Sequence, residues 1–370
     1  MQVFFSPAPP SRPKDAHIAV LGTGGTIAGR SPSVAVALGA ASGASSNDHV
    51  AYKAGEVGID TLMAQVADQV TTENGVGVKV VCHQVAQIDS KDADWAFWWA
   101  LAAATAKALD QASCAGVVIT HGTDTLEETA WFLACVLGER VTAKPVVLTC
   151  AMRPATALVP DGPQNLSDAL ALAWFGGACG VQVCVAGASW SAQSVQKVHP
   201  YRLHAFDGAD TGPVAYIEAG RVRPVTLAAP VAHAQVPISA QTVAGGALAY
   251  APAQQALSAL LQGHAVPPKP WVELVVHTAA AHAGLIDVLH SAGVDGVVVQ
   301  ATGNGTLNQA WLGRLHALMA GGLPVWCATR CQAGHLVAGS AAGMTQDGLP
   351  FVPGLSGVKS RVSLMLSLLA

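Results

Sequence analysis

Val117-Val118-Ile119-Thr120-His121-Gly122-Thr123-Asp124-Thr125-Leu126-Glu127-Glu128-Thr129-Ala130 passes from an apolar run, through a Gly/Thr turn, into a helical pattern. The run suits a fully buried strand. Thr125 and Glu128 have the S/T-x-x-E spacing of a capping box, which predicts a helix starting near Leu126 and continued by Ala130, Leu133 and Leu137. Thr123 and Asp124 then sit just ahead of a helix amino terminus, where free N–H groups and the positive dipole end favour an anion or a developing oxyanion. On this motif alone, Asp124 serves equally as a helix-capping residue or as an ionised carboxylate that holds a substrate ammonium.

Nearer the amino terminus, Leu21-Gly22-Thr23-Gly24-Gly25-Thr26-Ile27-Ala28-Gly29 repeats the arrangement after the run Ile18 to Leu21. Gly22 and Gly24 begin a dinucleotide fingerprint, but Ile27 stands where its third glycine belongs. The loop offers Thr23 and Thr26, whose hydroxyls are poor nucleophiles without a partner base.

The same alternation continues outward. Val78 to Cys82 precedes a helical stretch from Asp94 to Leu109, and Pro145 to Thr149 precedes one from Asn165 to Phe175. Strand and helix in turn predict an α/β fold with a mainly parallel sheet. Trp95, Trp98, Trp99 and Ala102 recur at i, i+3, i+4 and i+7 and predict a core-packed helix face rather than an aromatic ligand box. From Arg223 to about Pro270 the chain is rich in Pro, Ala and Gln, consistent with a linker and a short helix, after which Val272 to Val276, Gly296 to Val299 and Pro324 to Ala328 are strand candidates. The boundaries expected are an N-terminal domain over 1–223, a linker over 224–267 and a smaller C-terminal domain over 268–370. Two cores suit 370 residues better than one.

Composition narrows the function. Apolar residues make up 51% and charged residues 11%, so burial between subunits of a homo-oligomer is expected. A net charge of -4 without a basic stripe argues against nucleic acid as partner. The long apolar stretches are Ala/Gly-rich and interrupted, so no membrane span is expected. Eight cysteines lie scattered without a C-x-x-C pair, and no H-E-x-x-H or comparable pattern occurs, so neither a metal nor another cofactor is expected. His121 is a candidate general base, but a His held in a tight turn is more often a structural hydrogen-bonding residue, and that is the reading favoured. The proline-broken stretch Met1 to Asp15 does not resemble a signal peptide, and a cytoplasmic location is the expectation.

Together the two turns closely resemble those of the bacterial-type L-asparaginases and glutaminase-asparaginases, which share a Thr-Gly-Gly-Thr signature and a His-Gly-Thr-Asp-Thr signature. The resemblance extends through Tyr52-Lys53-Ala54-Gly55-Glu56-Val57-Gly58, Ile88-Asp89-Ser90-Lys91-Asp92, Ala151-Met152-Arg153-Pro154, Asp161-Gly162-Pro163, Ser194-Val195-Gln196-Lys197 and Gly303-Asn304-Gly305, in the right order over nearly the whole chain. It implies hydrolysis of a small-molecule substrate, L-asparagine, to L-aspartate and ammonia through an ester on Thr26, with Tyr52 assisting. Thr123, Asp124 and Lys197 are implied as a second catalytic group. Gly25, Ser90, Lys91, Gly122, Ala151 and Asn304 are implied in substrate binding, with Ser90 at the α-carboxylate, Asp124 at the α-ammonium and the Ala151 carbonyl at the leaving amide. It also implies a homotetramer in which Asn304 reaches a neighbour's site. A glutaminase-asparaginase of broad specificity is the nearest alternative, and a non-catalytic amino-acid sensor the alternative of another class.

Three local features qualify the resemblance. Many relatives carry Gln where Lys91 stands, so Lys91 either turns towards the substrate carboxylate or points to solvent. Between Thr329 and Asp347 no carboxylate precedes Asp347, so Asp124 is expected to hold the ammonium largely alone. Ser31 to Asp48, rich in Ser, Ala and Gly, reads as a surface insertion or a mobile lid, its position favouring the lid.

Overall fold

Strand β1 (His17–Gly24) is buried along its whole length, as a run of Ile, Ala, Val and Leu without alternation requires. The computed structural model that contains it describes residues 12–30, 53–66, 77–175, 180–225, 241–243, 246–248, 250–339 and 343–369. The 31–48 segment and Tyr52 therefore lie outside the described residues. Two compact units divide the chain: Met1–Gly208 with Gly212–Ala234, and Ala209–Thr211 with Gln235–Ala370.

In the first unit β1 lies between β2 (Lys79–Ile88) and β3 (Cys114–Thr120), parallel to both, and β4 (Val146–Thr149) and β5 (Val181–Val185) extend the parallel part. β6 (Ala188–Ser191), β9 (Ala215–Glu218) and β10 (Arg221–Pro224) complete it antiparallel, giving the order β10-β9-β6-β5-β4-β3-β1-β2. The sheet is thus mixed and mainly parallel, as expected. Because β2 lies on one side of β1 and β3 on the other, the connection from β1 to β2 and that from β3 to β4 run in opposite directions, and the crevice between the carboxyl ends of β1 and β3 is a topological switch point. Both Gly/Thr turns emerge there.

Helices α1 (Ile59–Ala64) and α4 (Gly162–Phe175) share one core with the sheet, where Ile59, Leu62, Leu166 and Leu170 meet Ile18, Val20, Val118 and Val147. Each such fully buried aliphatic side chain contributes about 1.5–3 kcal/mol. Helix α2 (Trp95–Leu109) is capped by the Asp94 carboxylate, which accepts from the Phe97 N–H at 2.8 Å. It packs on α3 (Leu126–Leu137) through aromatic rings: Trp98 stacks on Phe132 at 5.1 Å and Trp99 meets it edge-on at 5.3 Å. The tryptophans are core, as their spacing predicts.

The second unit holds β13 (Val272–Val276), β14 (Gly296–Ala301) and β15 (Val325–Thr329) in one parallel sheet. Its core gathers Ile286 of α6 (Gly284–Ala292), Trp311 and Leu315 of α7 (Gln309–Ala320) and the inward valines of β14. Within the stretch expected as linker lie a hairpin, β11 (Gln241–Val243) with β12 (Gly246–Leu248), and the short helix α5 (Ala251–Leu261). Tyr250 donates from its hydroxyl to Ser363 on α8 (Gly357–Ser367) at 2.8 Å, so the start of α5 is bound within the second unit. Among the described residues no helix is long and apolar enough to cross a membrane.

Candidate active site

Three turns meet at the carboxyl ends of β1, β2 and β3, and glycine is what lets them meet. Gly25 has φ +77°, and a Cβ on it would lie 2.4 Å from both Cα and N of Gly122. A Cβ on Gly122 would lie 2.5 Å from the Ser90 Oγ. Backbone therefore touches backbone between the Thr26 turn and the Thr123-Asp124 turn, and the second of these sits on Ser90. Further bonds lock the contact: Thr23 donates from its hydroxyl to the Thr120 carbonyl at 2.8 Å, and the Gly25 N–H donates to the Ile88 carbonyl at 2.9 Å. Residues 53–57 return along the same turn, with the Gly55 N–H on the Gly25 carbonyl at 3.1 Å and the Val57 N–H on the Ala28 carbonyl at 2.9 Å.

Thr26 opens a short 3-10 turn over Thr26–Ala28 and is buried. Thr123 is buried in the second turn, 7% exposed. Lys197, on the two-residue strand β7 (Gln196–Lys197) that among the described residues pairs only with β8 (Phe206–Asp207), extends its Nζ to Thr123 Oγ1 at 2.8 Å and to Asp124 Oδ1 at 2.6 Å. Thr123 in turn donates to Asp124 Oδ1 at 3.3 Å. Lys197, Thr123 and Asp124 thus form one cluster, and Lys197 holds the Asp124 carboxyl below the usual carboxylate range. Among the described residues Asp124 Oδ2 carries no partner, and the side chain is 56% exposed, which leaves that oxygen open to an incoming ammonium.

Ser90 is buried, its Oγ accepting from the Asp124 N–H at 3.2 Å. Its own hydroxyl hydrogen is left to donate to a carboxylate. The capping box expected at Thr125 does not form through that residue. Thr125 is the N-cap of α3 but makes no side-chain cap bond, because its hydroxyl donates to the Ser90 carbonyl at 2.8 Å. Tying two turns together outcompetes the local cap.

Lys91 points to solvent. Its Nζ lies 2.8 Å from Asp89 and 3.0 Å from Asp92, and these bonds, Asp89 first, raise its pKa. An exposed ion pair of this kind contributes little. Lys91→Gln is accordingly expected to change the KM for substrate by no more than about threefold, read from initial rates.

Ala151 is buried two residues after β4, on a turn held by side chains to which the sequence reading gave no role. Asp161 accepts from the Met152 N–H and the Arg153 N–H, both at 2.9 Å, and Asn165 donates to the Cys150 carbonyl at 2.9 Å while accepting from the Ala186 N–H at 2.9 Å. The Asp161-Gly162-Pro163 signature was the available signal for this support. Asn304 lies in the second unit, where its amide is committed to Val337: it donates to the Val337 carbonyl at 3.2 Å and accepts from the Val337 N–H at 2.7 Å. Among the described residues no group of three metal-ligating side chains occurs.

His121 is structural, as expected. Its ring is buried, Nδ1 donates to the Gly122 carbonyl at 2.8 Å, and burial pushes its pKa down to about 4. The unfolded chain takes up that proton near 6.5, so stability is complete above 6.5 and falls as pH drops towards about 4, by about 3 kcal/mol in all. Asp168 has the opposite sign: burial raises its carboxyl from 3.8 to about 6, so its contribution is present below 3.8 and is lost as pH rises to about 6. Urea unfolding at a series of pH values should therefore show a positive pH slope for the native protein relative to His121→Gln, because the difference cancels Asp168.

Comparisons with known proteins identify the family. The family described as "Asparaginase, N-terminal" matches residues 17–227, and that described as "Glutaminase/Asparaginase C-terminal domain" matches residues 271–370. The chain is 31% identical over 357 residues to the probable periplasmic L-asparaginase of Haemophilus influenzae, covering 95% of this chain and 88% of that one. It is 38% identical over 192 residues to the glutaminase-asparaginase of Acinetobacter glutaminasificans, covering 51% and 52%. The crystal structure of a probable cytoplasmic L-asparaginase from Campylobacter jejuni superposes with a TM-score of 0.73 at 31% identity over 95% of both chains. With both family domains matched in order and a relative this similar over nearly its whole length, the chain belongs to the asparaginase/glutaminase family.

Proposed function

We propose that the protein hydrolyses L-asparagine to L-aspartate and ammonia. The observation that carries the reading is the Lys197 ammonium on Thr123 and Asp124, on a turn whose backbone touches the turn of Thr26. Thr26 Oγ1 attacks the side-chain amide carbon and its proton passes, with Tyr52 assisting, to the amide nitrogen. The C–N bond breaks, ammonia leaves, and an aspartyl ester remains on Thr26. Water then adds to the ester, the Thr123–Lys197 pair directing the proton movement, and Thr26 regains its hydroxyl hydrogen. N–H groups near Thr26 and Thr123 face the oxyanion of both steps. Asp124 Oδ2 takes the substrate ammonium, Ser90 donates to the α-carboxylate, and the Ala151 carbonyl orients the leaving nitrogen.

The test is ammonia release with L-asparagine, L-glutamine and D-asparagine on one preparation. A kcat/KM at least about tenfold higher for L-asparagine is expected, one methylene being worth about 10- to 200-fold in a fitted pocket. Equal values for L-asparagine and L-glutamine would move the reading to a glutaminase-asparaginase, which the 38% identity to a relative of that name favours as second choice. No release from any of the three would reject the amidohydrolase. A homotetramer and a cytoplasmic location belong to the same proposal. The 11% charged content supports the first and the free thiols of the seven described cysteines the second. Sedimentation at four times the chain mass is the expected result.

A further inference from the structure

We infer that Glu127 is a positioning residue for Lys197. The inference rests on the catalytic reading of Lys197 given above. Glu127 lies in the first turn of α3, and its Oε1 accepts from the backbone N–H of Lys197 at 3.1 Å. The same short segment therefore holds Lys197 at two points: Thr123 and Asp124 take the side-chain ammonium, and Glu127 takes the main chain.

The second point matters because of what carries Lys197. Strand β7 is two residues long, pairs with β8 through Gln196↔Asp207 and Lys197↔Phe206, and belongs to neither larger sheet. A ladder this short has little stability of its own. The neighbouring Val198 N–H donates to the Ala205 carbonyl at 2.8 Å, on the β8 side. Alternation along a strand turns the Lys197 N–H the opposite way, to the side occupied by Glu127. Without that acceptor the Lys197 backbone is free to shift, and a long flexible side chain turns a small shift at its Cα into a misplaced ammonium. Displacements of about 1 Å cost on the order of 100-fold in rate. A plainer role for Glu127 is a favourable charge at a helix amino terminus, worth a little stability and no specific rate effect.

Glu127→Ala, Glu127→Gln and Lys197→Ala in the full-length protein separate these roles, with kcat, KM and melting temperature measured for each using L-asparagine. Glu127→Ala is expected to lower kcat by about 10- to 100-fold with KM changed by no more than about threefold. Glu127→Gln keeps an oxygen that accepts the Lys197 N–H, and its kcat is expected to stay within about threefold of the native value. Native kcat in Glu127→Ala overturns the inference. So does an equal loss in Glu127→Gln and Glu127→Ala, since the hydrogen bond would then not be what matters. If Lys197→Ala kept its rate, the catalytic reading of Lys197 itself would fail. If Lys197→Ala lost its rate while Glu127→Ala kept it, only the positioning role would fall.

Discussion

Thr26→Ala is expected to lower kcat for ammonia release from L-asparagine by on the order of 10,000-fold while the melting temperature stays within about 2 °C of native. On the proposed route alanine removes the oxygen that forms the ester, so no weakened version of that two-step route survives on residue 26. The fold should tolerate the change because Thr26 sits in a turn set by Gly25 and closed by the Gly29 N–H on the Thr26 carbonyl at 2.8 Å, a bond that alanine keeps. Thr26→Ser retains a hydroxyl and should recover a measurable part of the rate. Steady-state assays with calorimetry on the same samples check both. Near-native turnover in Thr26→Ala would remove the threonine ester from the mechanism.

Gly25→Ala should strike the fold and the site together. A non-glycine residue at φ +77°, ψ -171°, a region essentially reserved to glycine, costs about 1–3 kcal/mol by itself. Its Cβ would also lie 2.4 Å from Cα and N of Gly122, which are backbone atoms and cannot swing aside like a side chain. Separating the two turns is expected to raise the total to at least about 3 kcal/mol and to lower the melting temperature by about 6–12 °C for a unit of this size. Turnover should fall with it, because Thr26 and Thr123 would no longer share one frame. Gly77→Ala is the matched control: φ there is ordinary and nothing lies within 4 Å of the added Cβ, so its change should stay under about 1 kcal/mol. Equal melting temperatures for the two variants would contradict the close contact.

Much of the frame can be read from local pattern. The run Val272 to Val276 is β13, Leu126 to Leu137 is α3, and the tryptophan spacing places Trp98 and Trp99 in the core, because each of these follows from periodicity within one segment. The residues of the proposed site, Thr26, Ser90, Thr123, Asp124 and Lys197, stand in motifs that the sequence displays. What escapes is support that crosses long stretches of chain. Thr125 bonds to Ser90 across 35 residues and Lys197 to Glu127 across 70, and no local spacing records either. The antiparallel edge formed by β6, β9 and β10 escapes as well, since strands of four residues with turns between them carry little periodicity. At Thr125 the local rule misled, because a hydroxyl suited to cap its own helix had a better acceptor on another turn.

The separateness of the β7–β8 ribbon has a consequence for heating. Local stability varies across a fold, and a two-residue ladder outside the larger sheets is expected to open before the central sheet does. Melting of the ribbon would carry Lys197 away while the central sheet kept its packing. Turnover should then vanish several degrees before the calorimetric transition, and cooling from within that interval should bring it back in full. On that expectation the working temperature range is set by a strand of two residues, and the sheet around β1 sets the temperature of unfolding.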